Sequence, residues 1–146
     1  MTTATKQSDI KRAWHHVDVQ GKVLGRISVE IAHTLMGKGK AHFVRNLDCG
    51  DYVVVTNAKG IVVTGKKAQQ KTYYRHSMYP GGLKGETFEE LLRRRPTEII
   101  RNGVKGMLPQ NKLRASMLKR LIVFSGDMEK YQDKFGPKVH QPLADK

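Results

Sequence analysis

An acidic cluster and several basic runs hold the side chains of this sequence that could do chemistry. The acidic cluster is the stretch LDCGDY, which brings Asp48, Cys49 and Asp51 together. Two carboxylates with a divalent metal, and a base such as His76, would suit RNA cleavage. Cys49 is the sole cysteine, however, and the six histidines form no H-x-x-x-H pair. The pattern favours aspartates that cap a turn over a catalytic or metal site.

The stretch GIVVTGKK, at residues 60–67, matches the G-x-x-x-x-G-K pattern of a phosphate-binding loop. Its intervening residues are all β-branched and favour a strand over a wrapped loop, and Lys67 stands where a magnesium-binding Ser or Thr is required. No G-x-G-x-x-G motif follows a predicted strand. The sequence therefore indicates no cofactor, no metal and no small-molecule substrate.

Basic side chains are segregated from acidic ones along the chain. Residues 59–84 contain six Lys or Arg and no acid, and residues 99–126 again contain six and no acid. A surface without a partner normally mixes both signs. In the first segment tyrosines alternate with the cations, and glycines let the backbone approach a ligand closely, which is typical of an RNA-facing loop. A mobile basic loop without a ligand is the alternative.

The second acid-free segment contains GMLPQNKLRASMLKR, at residues 106–120, where a helical pattern is interrupted. Gly106 and Pro109 are expected to end one helix, and Asn111 to start another whose first turn offers an anion site. Met107 and Leu108 are expected to bury the turn. An ordinary helical corner with solvated lysines is the alternative.

A third basic run, MGKGKAHFVR, follows a predicted helix end at Gly37. There Lys38 either complements the helix dipole or binds phosphate, and Lys40 and Arg45 are expected to contact phosphate. Together the three runs predict the following RNA-binding residues: Lys38, Lys40, Arg45, Lys66, Lys67, Lys71, Tyr74, Arg75, His76, Lys84, Lys105, Lys112, Arg114, Lys119 and Arg120.

Hydrophobic spacing predicts the elements that position these residues. Apolar runs at residues 14–19, 52–56, 61–64 and 121–125 predict strands, and the middle two lack the alternation of a half-exposed strand, so they are expected to be covered on both faces. Apolar residues at helical spacing predict a helix over 25–36, and a Thr87–Glu90 capping box predicts another. Further helices are expected from residue 96 to about 105 and after residue 111. The first strand, helix and second strand predict a βαβ unit within an α/β domain whose parallel sheet has helices on both faces.

Composition limits the class of protein. The 146 residues suit one domain, and 27 Lys or Arg against 13 Asp or Glu give a net charge of +14, which indicates a polyanionic partner. One cysteine excludes an intramolecular disulfide and fits a reducing compartment. No apolar run approaches membrane-spanning length, so no membrane contact is expected.

The motifs, taken in order, resemble large-subunit ribosomal protein family thirteen. The resemblance rests on LGR at 24–26, DCGD at 48–51, TGKK at 64–67, K-x-YYRH at 71–76, PGG at 80–82 and GMLP-x-NKLR at 106–114, and it runs from about residue 14 to residue 126. It implies a three-layer α/β/α domain with a four-stranded parallel sheet over 14–126. Residues 1–13 would be an N-terminal extension, and residues 127–146 an extended C-terminal tail.

This resemblance also implies a function. It implies a non-catalytic constituent of the large ribosomal subunit that binds large-subunit rRNA, supports subunit assembly and touches ribosomal proteins of families three, twenty and twenty-one. A basic RNA-binding regulator outside the ribosome and a metal-dependent RNA-processing enzyme are the alternatives. WHHVDV, QKTYYRHS and NKLR look more like mitochondrial members of the family. The expected location is therefore the mitochondrial ribosome, with the bacterial cytoplasm as the alternative.

Overall fold

The structure is a computed structural model that describes residues 5–128 and 130–135. It is a mixed α/β fold in which strands β1, β2 and β5 form a parallel sheet in the order β1-β2-β5, while β3 and β4 form an antiparallel hairpin. The elements are β1 Trp14–Asp18, α1 Leu24–Met36, β2 Tyr52–Thr56, α2 Lys67–Gln70, β3 Thr72–His76, β4 Leu83–Thr87, α3 Phe88–Arg94, α4 Pro96–Met107, α5 Leu113–Lys119 and β5 Leu121–Val123.

Helix α1 follows its sequence pattern closely. Its apolar residues Leu24, Ile27, Ile31 and Leu35 are each at most 5% exposed. Gly37 ends the helix with a left-handed φ of 77° and donates its N–H to the His33 and Thr34 carbonyls. The predicted helix, its buried stripe and its glycine cap are confirmed.

The central strand β2 is almost fully buried, with Val53, Val54 and Val55 each 0% exposed. Val53 and Val55 belong to a single apolar cluster that also holds the buried Leu, Ile, Val, Phe and Met side chains of α1, α3, α4 and α5. Beside the start of the strand, Trp14 stacks on Tyr52 at 4.4 Å and on Tyr131 at 5.5 Å. An aromatic stack that includes a residue of the C-terminal segment thus lies next to the helical core.

A fourth parallel strand over residues 61–64 is not confirmed. Only Val62 pairs, through a single parallel bridge to Val23, and its side chain is 46% exposed. The ladder stops because the chain turns at Gly65, whose φ is 64°. The parallel sheet consequently has three strands among the described residues.

The β3–β4 hairpin, which the sequence analysis took for a loop, is fixed to the body at its base. Tyr73 packs against the core cluster, and the Phe88 N–H donates to the Lys71 carbonyl at 2.8 Å. Strand β4 ends at Thr87, which forms the predicted capping box with Glu90 at the start of α3. The hairpin is thus anchored at its base and exposed at its tip.

The interrupted helical region differs from its prediction in two details. Helix α4 continues through Gly106 to Met107, and Leu108 is the buried anchor, whereas Met107 is 40% exposed. Helix α5 begins at Leu113, two residues after Asn111. The Arg114 N–H nevertheless donates to Asn111 Oδ1 at 3.2 Å, which is the side-chain hydrogen bond expected of a helix cap. Helix α5 has only seven residues, too short for its N-terminus to be treated as an anion site by itself. No helix in the described part of the chain has the length and apolar composition needed to cross a membrane.

Candidate nucleic-acid interface

The hairpin holds two cations directly opposite each other. Arg75 on β3 pairs in register with Lys84 on β4, and both side chains are exposed. Like charges in this position repel and destabilise a hairpin. No acid in residues 5–128 or 130–135 forms an ion pair with either side chain. The pair is therefore an uncompensated cationic site on a rigid strand pair.

The opposite face of the hairpin presents an aromatic surface. Tyr74 pairs in register with Gly85, and its ring lies 3.2 Å from the position that a Cβ on Gly85 would occupy. The ring thus lies across the glycine while remaining 70% exposed. A flat, exposed, preorganised ring can stack on a base or ribose.

The tip of the hairpin exposes large apolar side chains. Met78 is 88% exposed and Tyr79 is 75% exposed. Met78 has a φ of 68°, a strained conformation for a non-glycine residue, and its N–H donates to His76 Nδ1 at 2.9 Å. Glycine suits position 82 because a Cβ there would lie 2.8 Å from the backbone carbonyl oxygen of Tyr79. The turn therefore fixes an exposed apolar tip beside the cationic pair.

Three lysines lie at the base of the hairpin. Lys66 and Lys67 are exposed at the start of the one-turn helix α2. Lys71 joins α2 to β3, and its ammonium lies 5.4 Å from the centre of the Tyr73 ring. Burial raises the pKa of Tyr73, so this phenol stays neutral at physiological pH.

The two remaining basic runs meet in space. Residues from 36–47 and from 107–117 line one cavity of about 480 Å³. Lys38 and Arg45 line it from the first run and Asn111 from the second. Lys105, Lys112 and Lys119 are exposed on α4 and α5 or between them, and Arg114 is half-buried. Residues of two runs that are separate in the sequence thus line the same cavity.

Arg120 is not on this surface, contrary to the sequence prediction. Its side chain is 4% exposed and its guanidinium binds both carboxylate oxygens of Asp48. The same group donates to the carbonyls of Leu35 and Asp51, each at 3.3 Å. Four of the five guanidinium N–H groups thus have an internal acceptor, and each of the three nitrogens has at least one, so Arg120 is a structural residue.

Lys40 likewise has internal partners where the sequence predicted a phosphate contact. Its ammonium lies 2.5 Å from Asp51 Oδ1 and donates to the carbonyls of Lys11 and Cys49 at 2.8 and 3.0 Å. With all three donor positions used and the side chain 19% exposed, it fixes the loop before β2.

Asp48 and Asp51 are the acidic halves of these pairs. Burial acts to raise the pKa of Asp51, but hydrogen bonds from Lys40, the Ala13 N–H and His15 outweigh it, and the pKa lies below its ordinary value. Both carboxylates are thereby committed to intramolecular cations, while His76 lies on the separate hairpin. The described residues contain no group of three His, Cys, Asp or Glu side chains placed to hold a metal ion.

The sequence pattern did not predict the hairpin or the exposed tip residue Met78. The alternation of apolar and polar residues that signals a hairpin is absent from TYYRH, and one of its cross-strand pairs, Arg75 with Lys84, joins like charges. The usable signal was PGG at residues 80–82, since Gly81 adopts the positive φ that such a turn requires.

These features define a small basic α/β protein with an acid-poor, exposed cationic surface and an aromatic hairpin. A family model for ribosomal protein L13 matches residues 12–130. The chain belongs to the ribosomal protein L13 family, as its motifs suggested.

Curated relatives agree with this membership. A large ribosomal subunit protein uL13 from Dehalococcoides mccartyi is 50% identical over 135 residues, which cover 92% of this chain and 94% of the relative. Proteins of the same name from Citrifermentans bemidjiense and Bordetella pertussis are 50% and 48% identical, each over 86% of this chain and 88% of its own length. These relatives are bacterial, and nothing in them supports the prediction of a mitochondrial member.

Proposed function

We propose that this chain is a structural, non-catalytic constituent of the large ribosomal subunit that binds large-subunit rRNA and supports subunit assembly. The proposal is supported by the uL13 relatives, two of which are 50% identical to this chain over 92% and 86% of its length. It places the protein in the bacterial cytoplasm, since the relatives are bacterial. It also includes the ribosomal proteins of families three, twenty and twenty-one as neighbours.

The observation that carries RNA binding is the opposed pair Arg75 and Lys84. Stability gives no reason for two cations opposite each other on an exposed hairpin, because like charges directly opposite destabilise a strand pair. A phosphate between or beside them removes the repulsion and gains two charge-assisted hydrogen bonds. An anion therefore converts an unfavourable arrangement into a favourable one.

The proposed mode of binding is shape and charge complementarity without reading of base edges in a groove. Lysines neutralise phosphates along the surface, and Tyr74 stacks on an unpaired base or a ribose. Two residues of the sequence-predicted set, Lys40 and Arg120, are left out because they have internal partners. The contact residues proposed are Lys38, Arg45, Lys66, Lys67, Lys71, Tyr74, Arg75, His76, Lys84, Lys105, Lys112, Arg114 and Lys119.

The salt dependence of binding tests the proposal. The affinity of the protein for a large-subunit rRNA fragment is measured over a range of salt concentrations. The wild type is compared with a double variant that carries Arg75→Gln and Lys84→Gln. If each cation neutralises one phosphate, the slope of log K against log salt falls in magnitude by about 1.4–1.8. The melting temperature should stay the same or rise, since a repulsion has been removed.

A matched variant removes the same charge elsewhere. Arg93 and Arg95 are exposed and lie 3.8 and 2.9 Å from Glu89 and Glu98. The Arg93→Gln, Arg95→Gln variant should keep the wild-type slope. Equal slopes for both double variants would show that the hairpin has no special role, and release from large subunits at moderate salt would favour a regulator outside the ribosome.

A further inference from the structure

We propose that the cavity between residues 36–47 and 107–117 binds one unstacked nucleotide of the bound RNA strand. This inference rests on the proposed function, because the strand reaches the cavity only if RNA lies on the cationic surface. It goes beyond that function by naming a base-binding site in addition to phosphate contacts.

The walls of the cavity suit a flat aromatic ring. Met36 and Met117, which are 7% and 4% exposed, line it together with Phe43, and Met107 contributes an exposed edge. Thioethers and aromatic rings make favourable contacts with the face and edge of another ring. The volume of about 480 Å³ lies within the range of roughly 300–1,000 Å³ that is usual for small-ligand sites.

The charge at the cavity suits a nucleotide better than an apolar side chain. Lys38 and Arg45 line the cavity and no acidic residue does so. By contrast, the adjacent cavity of about 820 Å³ includes the carboxylate of Asp48. An apolar pocket with a cationic edge matches an aromatic base that carries a phosphate.

Asn111 adds a group that can recognise the base. Its Oδ1 accepts from the Arg114 N–H, which orients the amide, and within the described residues its Nδ2 donates no hydrogen bond. That N–H₂ group can donate to a ring nitrogen or carbonyl of a base. The cavity therefore offers apolar walls, a phosphate partner and one polar group for orientation.

Methyl NMR of the full chain with labelled methionines tests the inference. Met36, Met107 and Met117 report on the cavity, whereas Met78 reports on the hairpin tip. The probes are a short single-stranded RNA, a duplex of the same length and inorganic phosphate. Single-stranded RNA should shift the three cavity signals through the ring current of the base, and the duplex and phosphate should not.

A Met107→Gln variant sharpens the test, because this exposed residue can be changed without disturbing the core. It should weaken the response of Met36 and Met117 to single-stranded RNA by about tenfold in apparent affinity. The matched Met128→Gln variant, at a half-buried methionine outside both the hairpin and the cavity lining, should leave that response unchanged. Glutamine is close to methionine in size, so each substitution changes the polarity of the side chain while nearly keeping its volume.

The outcomes separate this inference from the proposed function. Equal cavity shifts with duplex or phosphate, or an unaffected Met107→Gln variant, would overturn the nucleotide site. A shift of Met78 with RNA while the cavity signals stay fixed would overturn the site and leave RNA binding standing. Absence of any shift and of any RNA binding would overturn the proposed function, and the inference with it.

Discussion

The buried position of Arg120 makes a prediction that separates structure from sequence pattern. In an Arg120→Met variant the Asp48 carboxylate loses its bidentate partner, and Arg12, at 3.7 Å, compensates only in part. Removing one member of a buried ion pair typically costs about 3–5 kcal/mol, a large part of the roughly 5–15 kcal/mol that stabilises a domain. For a chain of 146 residues this lowers the melting temperature by about 10–15 °C.

The measurement combines thermal unfolding, followed by circular dichroism, with the salt slope of RNA binding. Arg120→Met should unfold at a lower temperature and keep the wild-type slope below that temperature. The exposed neighbour Lys119 gives the matched control: Lys119→Gln should keep the melting temperature and reduce the slope by about 0.7–0.9. The burial argument would be refuted if Arg120→Met had the melting temperature of wild type and if its RNA binding showed the same reduced salt slope as that of Lys119→Gln.

Two further predictions concern the segment before β2. Since the pKa of Asp51 is lowered in the folded state, its carboxylate stabilises the protein above its ordinary pKa. That contribution is lost as pH falls below about 4, and Asp51→Asn should flatten the acid limb of a plot of unfolding free energy against pH. An equally steep limb in the variant would contradict this assignment. Separately, Gly50→Ala should fold poorly in a solubility and melting assay, because its Cβ would lie 1.7 Å from the Leu35 carbonyl oxygen, whereas Gly106→Ala, with open space around it, should be tolerated. A well-folded Gly50→Ala protein would show that the loop can move.

Local pattern was sufficient to predict the elements that depend on neighbours in the sequence. The α1 stripe, the Gly37 cap and the Thr87–Glu90 capping box each involve residues within one or two helical turns, and all three are present. The parallel pairing of β1 with β2 also followed from the strand, helix, strand order. These features are decided by short-range sterics and hydrogen bonding.

The cover of β2 depends on distant residues. Strand β2 has the apolar sequence of a strand covered on both faces, and Val53, Val54 and Val55 are each 0% exposed. Nothing local shows which residues cover it. Trp14 and Tyr131, for example, are separated by most of the chain and stack on each other, which no local pattern predicts.

The same limit applied to individual cations in the site. Arg120 and Lys119 are adjacent and carry the same charge, yet Arg120 is buried and Lys119 is exposed. The difference arises because residue 120 directly precedes β5 and lies close to Asp48, 72 positions earlier in the chain. Burial of a charge is decided by such a long-range partner, which charge counting along the sequence does not reveal.

The ion pairs inside the protein also affect the charge that its surface presents. Asp48 and Asp51 are largely buried and pair with Arg120 and Lys40 before β2, whereas Glu86 pairs with Arg94 in a more exposed ion pair beside the hairpin. Each of these acids has an internal cation as its partner, so it does not pair with the other exposed lysines and arginines. The residues that stabilise the fold thereby strengthen the electrostatic attraction of the opposite surface for a polyanion.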